Sequence, residues 1–211
     1  MRKIVFLTFL ILSGFFNNAA QTKLTQAEYA VYASVLKVIY KENREAYANK
    51  SEFVFLNETK PDPQLAPPSE KKYKNLVEDF NRKNKIGGIV EKKFPRGGCL
   101  AEYYLVSQAE VDEFLEKGRI DLEQRQAEAA KLRASGRNVF VLGNSWMPFF
   151  EKYPESSGLH TLSRVGFSGQ LAMAQVQADY GWTGFSRVYI LKRIKGKWKI
   201  IDSGDNSEWV S

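Results

Sequence analysis

The side chains that carry most hydrolytic and metal chemistry are scarce in this chain: one histidine, His160, and one cysteine, Cys99. A zinc site with two histidines is out of reach, and so is a cysteine-rich one. A Cys99–His160 pair stays open on spacing, because nucleophile and base meet in space rather than in sequence. The thiol precedes the apolar Leu100-Ala101 and Tyr103–Val106, and reads more simply as a small buried residue. Gly166-Phe167-Ser168-Gly169 approaches the nucleophile-elbow pattern G-x-S-x-G but is one residue short after the serine, so it reads as a turn. Asp202-Ser203-Gly204-Asp205-Asn206-Ser207-Glu208 crowds oxygen-bearing side chains but lacks EF-hand spacing, and reads as a polar turn. The 24 acidic residues allow many carboxylate pairs, whose separation is a structural quantity. Gly87-Gly88 and Gly97-Gly98 lack the strand–glycine–helix context of a phosphate loop or a dinucleotide fingerprint. We therefore assign no catalytic residue, no metal ligand and no cofactor from the sequence.

Aromatic residues are the remaining signal. Tyr180, Trp182 and Phe185 crowd one predicted hairpin loop, where exposed rings could stack on a sugar or grip a partner. Arg164 and Arg187 fall on strands expected near that loop and complete a candidate ligand-binding set. The competing expectation is that the rings cover the end of a sheet while the arginines snorkel at its edge.

The first twenty residues carry an address. Arg2 and Lys3 precede Ile4–Phe16, thirteen residues without charge, and Asn17-Asn18-Ala19-Ala20 follows. A basic segment, an apolar segment and a small-residue exit make a signal peptide, cut after Ala20, and predict an exported protein of the periplasm or extracellular space. The alternative is an uncleaved anchor, but the run is shorter than the roughly 20 apolar residues that span a bilayer. No cysteine stands at the cut to carry a lipid. Cleavage leaves 29 basic against 24 acidic residues, a net charge of +5 in place of +7. The densest basic stretches are Lys71–Lys74, Arg82–Lys85 and Lys192–Lys199. They predict weak attraction to anionic surfaces and no nucleic-acid specificity.

Local patterns predict the elements that must position these residues. Thr25-Gln26-Ala27-Glu28 is a capping box, followed by Tyr32, Val35, Leu36 and Ile39 on one helical face. Phe53–Leu56 reads as a buried strand. Lys60–Pro68, with four prolines, reads as a surface loop, and Ser69 caps a helix burying Tyr73, Leu76, Val77 and Phe80. A strand at Glu102–Val106 precedes a second capping box, Ser107–Glu110, which opens a short helix. Gly118 to Gly136 then reads as a charged, weakly attached helical insertion at about 118–136. Trp146–Tyr153 is a helical turn. Strands are expected at Leu159–Phe167, Leu171–Tyr180, Phe185–Ile194 and Lys197–Ile201, the last with an extension to Trp209-Val210. Tight turns are expected at Ser168-Gly169 and Lys195-Gly196. The expected architecture is a single α+β domain over 21–211, with N-terminal helices packed on one face of a C-terminal antiparallel β-meander. A curved nuclear-transport-factor-like or cystatin-like sheet would suit that order, by analogy of fold alone.

The C-terminal third also carries a resemblance. Phe150-Glu151-Lys152-Tyr153-Pro154, Ser157-Gly158, Leu162–Phe167, Tyr189-Ile190-Leu191, Gly196–Ile200 and Trp209-Val210-Ser211 resemble a family of uncharacterised exported bacterial proteins. Tyr29–Tyr32, Leu36, Tyr40 and Phe53–Thr59 are similar to the family's beginning. The resemblance implies export and a helix-then-sheet fold; it implies no activity. Where many relatives carry a Gly/Cys-rich segment, this chain has Asp179–Gly184, without cysteine.

These features favour a non-enzymatic extracytoplasmic domain binding a small ligand or an envelope protein. Two alternatives stay open at this point: a secreted carboxylate-dependent hydrolase, and an adhesin or structural protein of the cell envelope. The first requires two carboxylates facing across a cleft, the second a broad exposed apolar patch around Trp182.

Overall fold

A computed structural model describes residues 22–46, 52–61, 71–91, 94 and 102–210. Residues 1–20, expected to be a signal peptide, together with Ser69, Cys99 and all but the start of the proline-rich loop lie outside these residues. In chain order the elements are β1 (Thr22–Lys23), α1 (Gln26–Ala46), β2 (Glu52–Leu56), α2 (Lys74–Asn84), β3 (Gly88–Ile89), β4 (Glu102–Val106), α3 (Gln108–Ala134) and α4 (Met147–Lys152). Five strands close the chain: β5 (Ser156–Leu162), β6 (Gly166–Ser168), β7 (Leu171–Asp179), β8 (Thr183–Ile194) and β9 (Lys197–Val210). Helices come first and the meander last, an α+β protein.

Both capping boxes form, because each is closed by residues three apart. The Thr25 N–H and hydroxyl donate to Glu28 Oε2 at 2.8 and 3.0 Å, and the Glu28 N–H returns to Thr25 Oγ1 at 3.3 Å. Ser107 and Glu110 repeat the arrangement at 2.8, 2.9 and 3.2 Å. From the first box α1 carries Tyr32, Val35, Leu36 and Ile39 inward, all fully buried.

One seven-stranded sheet runs in the order β4-β2-β5-β7-β8-β9, with β6 pairing β7; β1 and β3 form a small parallel pair of their own. The meander is antiparallel: β7 pairs β5, β6 and β8, and β9 pairs β8. The opposite half is parallel, since β2 pairs in the same direction with β4 and with β5. Parallel neighbours need crossover connections, and the segments carrying α2 and α3–α4 supply them.

A buried sheet of this kind needs cover on both faces. Phe53 and Phe55 of β2 belong to the core under α1, whereas Val54 and Leu56 pack with Val111, Trp146 and Phe149 of the α3–α4 side. Tyr189 and Leu191 of β8 join the α1 core, while Val188 and Ile190 pack with Leu76 and Phe80 of α2. Alternate residues of one strand point to opposite faces. The helices therefore lie on both faces, not on one as the sequence suggested: α1 on one, α2 and the α3–α4 pair on the other.

Three local expectations change. The strand foreseen over Leu159–Phe167 is broken into β5 and β6, because Arg164 turns into the interior. The first hairpin turn sits one residue later, at Gly169-Gln170, since Ser168 pairs Leu171. The polar run 202–208 is part of β9 rather than a turn, and β9 keeps its pairing with β8 through two register shifts. The turn at Lys195-Gly196 is as expected, with φ of 48° and 77°.

The short helix and the charged segment 118–136 form one helix, α3, because nothing between them breaks it. At 27 residues it is about 40 Å long. Gly136, at φ 84°, follows its end. Ala129 is buried on its outer half, whereas Leu132 is exposed. Residues 138–145, neither strand nor helix, run back beside it. Arg133 Nη1 donates to Val139 O at 2.9 Å and Arg125 Nη1 to Leu142 O at 3.1 Å. Gly118 is where this strap meets the helix: a Cβ there would lie 2.0 Å from Ser145 O, a backbone atom that cannot step aside. Gly118→Ala should cost about 1–3 kcal/mol by forcing helix and strap apart, although alanine is the better helix former. A urea melt read by tryptophan fluorescence checks this; an unchanged or raised midpoint would refute the close approach.

Candidate functional site

The aromatic hairpin is built by β7 and β8, whose register closes at Asp179↔Gly184. Tyr180 N–H donates to Thr183 O at 2.8 Å, and Asp179 Oδ1 accepts from the Gly181 N–H at 2.9 Å. Burial raises the Asp179 pKa, against the lowering effect of that hydrogen bond. The loop rests on its neighbours. A Cβ at Gly181 would come within 3.0 Å of Trp146 Cβ, and one at Gly158 within 2.6 Å of the Tyr180 ring. Trp182 at the apex is 54% exposed.

Of the five residues singled out in the sequence, the structure gathers three beside that apex. The rings of Tyr180 and Phe185 stand 6.1 Å apart. The Arg187 guanidinium lies 5.4 Å from the Phe185 centroid and 6.0 Å from that of Tyr189. Its Nη1 donates to Glu42 Oε2 at 3.1 Å. Glu42 escaped the sequence reading, because nothing local links the end of α1 to a strand 145 residues later. Trp182, Phe185, Arg187 and Glu42 thus offer apolar, cationic and anionic surface at one end of the sheet.

Arg164 is not part of this set. It follows β5 at the opposite end, about 16 Å along the strand from Leu159, which pairs Asp179. It is 6% exposed, and its Nε and Nη2 donate to Glu28 Oε1 and Oε2 at 2.7 and 3.1 Å. Nη1 donates to Thr22 Oγ1 at 2.6 Å and to Gly87 O at 3.0 Å. Asn84 accepts from the Arg164 N–H at 2.7 Å and donates to its carbonyl at 3.0 Å. Glu28 also accepts from the Val165 N–H at 3.1 Å. Burial alone would raise the Glu28 pKa, but the bonds from Arg164, Thr25 and Val165 outweigh it and the net shift is downward. Beside this pair, Tyr32 donates to Ser163 O at 2.5 Å and Gln175 N–H donates to Ser163 Oγ at 3.0 Å. Every polar group of this node is spent on the fold.

His160 is spent as well. It is fully buried on β5, with its ring centroid 4.9 Å from Phe53 and 5.8 Å from Phe55. Neither ring nitrogen has a hydrogen bond of normal geometry. Desolvation lowers its pKa to about 4, against a smaller opposing effect of the Gly158 and Val54 backbones. It is a neutral core residue with no route to a serine or a solvent-borne substrate. Among the described residues no three His, Cys, Asp or Glu side chains gather as metal ligands. Ser168 ends β6 where that strand pairs with β7.

Two surface recesses stand apart from the aromatic end. One, of about 220 Å³, lies between the outer half of α3 and the strap, lined by Ala129, Leu132, Val139 and Phe140 among others. The other, of about 720 Å³, lies between the hairpin tips at Gly169-Gln170 and Lys195-Gly196. Neither has two carboxylates facing each other. Among the described residues, no helix is long and apolar enough to cross a membrane. Compared with protein-family models, curated proteins and solved structures, the chain matches none.

The buried ionisable groups yield two predictions. Glu28→Gln leaves the Arg164 guanidinium buried without its counter-charge and should cost about 3–5 kcal/mol. Replacing both together, Glu28→Leu with Arg164→Met, should recover most of that loss in urea melts, and failure to recover it would show that the other bonds of Arg164 dominate. For His160, the unfolded chain takes up a proton near pH 6.5 and the folded chain only near 4. Its contribution is therefore fully present above pH 6.5 and falls away toward pH 4, by about 3 kcal/mol over the window. Stability measured at pH 7 and pH 5 should drop in the wild type and stay nearly level in His160→Leu.

Proposed function

We propose that this chain is an exported binding domain whose contact surface is the β7–β8 hairpin end, with Trp182 at its apex and Phe185 and Arg187 beside it. The observation that carries the reading is a contrast in where the residues face. Glu28, Tyr32 and His160, buried groups whose ionisation is shifted, are enclosed and committed to packing or pairing. Trp182, the largest side chain type, is more than half exposed on a loop braced from below by Trp146 and Gly158. A braced, exposed indole, on a hairpin whose Phe185 ring carries the Arg187 guanidinium, presents ready-made contact area at small entropic cost, which suits a planar ligand such as a sugar ring, or a protein partner. The basic, apolar and small-residue order of residues 1–20 supports export. No observation favours the carboxylate-dependent hydrolase or a broad adhesive patch over this reading.

Site-specific photo-crosslinking in the host envelope tests it. A photoreactive residue in place of Trp182 should give a discrete adduct, and one at the still more exposed Phe140 should not. Arg187→Ala should weaken the adduct about tenfold or more, the loss of a desolvated cation contact. Identical labelling from both positions would sink the proposal.

A further inference from the structure

We propose that the hairpin tips at the other end of the sheet form a docking face for the anionic head groups of a phospholipid surface. The surface does not depend on the reading of the aromatic end. The sheet separates the two, since β8 spans about 35 Å from Thr183 to Ile194.

The tip concentrates charge without compensation. Lys192, Arg193, Lys195, Lys197 and Lys199 fall within eight residues. All five are exposed, and among the described residues none of them has a carboxylate in ion-pair range. The register adds to the repulsion. Lys192 stands directly opposite Lys199, and Ile194 opposite Lys197. Residues two apart on a strand share a face, so Lys192, Lys197 and Lys199 crowd one face of the hairpin around Ile194. Like charges directly opposite each other destabilise a strand pair. An anionic surface relieves that repulsion.

The second hairpin completes the face. Arg193 N–H donates to Gln170 O at 2.8 Å, which ties the Gly169-Gln170 turn to β8. Between the two tips opens the shallow recess of about 720 Å³, lined by Lys192, Arg193 and Lys195 with Gly169 and Gly196. A Cβ at either glycine would meet nothing within 4 Å, so backbone as well as side chains is open to a phosphate.

The chemistry favours a lipid surface over a nucleic acid. Four of the five cations are lysines, compact point charges rather than the planar forks that read bases or grip phosphates bidentately. The ring of the tip, Trp198, pairs with Arg193 on the other face of the hairpin and packs 5.9 Å from Phe167, so it offers no stacking platform. Ile194, 36% exposed amid the lysines, instead offers an apolar point to the boundary between head groups and acyl chains.

Co-sedimentation of the full chain with vesicles tests the proposal. Phosphatidylcholine vesicles are compared with vesicles of phosphatidylcholine and phosphatidylglycerol, each at low and at raised salt. Binding should need the anionic lipid and should fall steeply with salt. Lys192→Gln, Lys197→Gln and Lys199→Gln together should lower partitioning by about 100-fold, roughly fivefold for each lysine. Residues 1–20 are common to both proteins, so the difference between them reads the tip. If the triple variant misfolds, Lys197→Gln with Lys199→Gln reads the same tip and should lower partitioning by about 25-fold. Equal binding to neutral vesicles, undiminished binding by a folded triple variant, or capture of single-stranded RNA with no binding to vesicles would each overturn it. So would a triple variant that self-associates yet still binds vesicles, because the lysines would then only guard a strand edge.

Discussion

Two opposite charges taken out of water hold a fold together only if every other lone pair and N–H around them is also satisfied. Glu28 and Arg164 meet that condition with groups drawn from distant parts of the chain. Thr25 and Val165 donate to the carboxylate, and Thr22 and the Gly87 carbonyl accept from the guanidinium. Asn84 brackets the Arg164 backbone from α2. The cap of α1, the small β1–β3 sheet, the end of α2 and the break between β5 and β6 therefore meet at one point. That break lets β6 pass against α2, where a Cβ at Gly166 would lie 2.7 Å from the Phe80 nitrogen. Below it, Asp79 accepts from the Phe167 N–H at 2.8 Å and Lys83 donates to Val165 O at 3.0 Å.

With its ionisable interior committed in this way, the molecule presents an exposed aromatic feature at one end of the meander and an exposed basic one at the other. β7 leaves the basic end and arrives at the aromatic end, and β8 returns. The connections decide this. Two-residue turns at Gly169-Gln170 and Lys195-Gly196 close one end, while the wider Tyr180–Thr183 loop closes the other. Function on such a scaffold lives in the loops, because both faces of the sheet are already covered by helices.

What could be read in advance was what neighbours in sequence decide. Thr25 with Glu28, and Ser107 with Glu110, need only three residues to close a cap. The face of α1 follows from 3.6 residues per turn, and Lys195-Gly196 from the positive φ its turn requires. What could not be read depends on who arrives from elsewhere. Arg164 looks like any strand arginine until Glu28 is placed beside it, 136 residues away. The parallel pairing of β2 with β4 and β5 leaves no mark in the four apolar residues Phe53–Leu56, and neither does the choice of sheet face for each helix. Gly118 reads as the start of an insertion, and only the strap packed against it shows it to be a contact within one helix. At the aromatic end the rings were legible, but Glu42 was not.

The Glu28–Arg164 pair also sets an order of events. The cap of the first helix borrows its final partner from a residue 136 positions downstream, and the strand beside β2 on its inner side, β5, comes about a hundred residues after it. Loop closure on that scale comes before any contact can reward it, which makes such topologies slow to fold. A growing chain that has reached α3 holds an unpaired Glu28 and a β2 without its inner neighbour. Native pairing around α1 and β2 is complete only once β5 and Arg164 have been made.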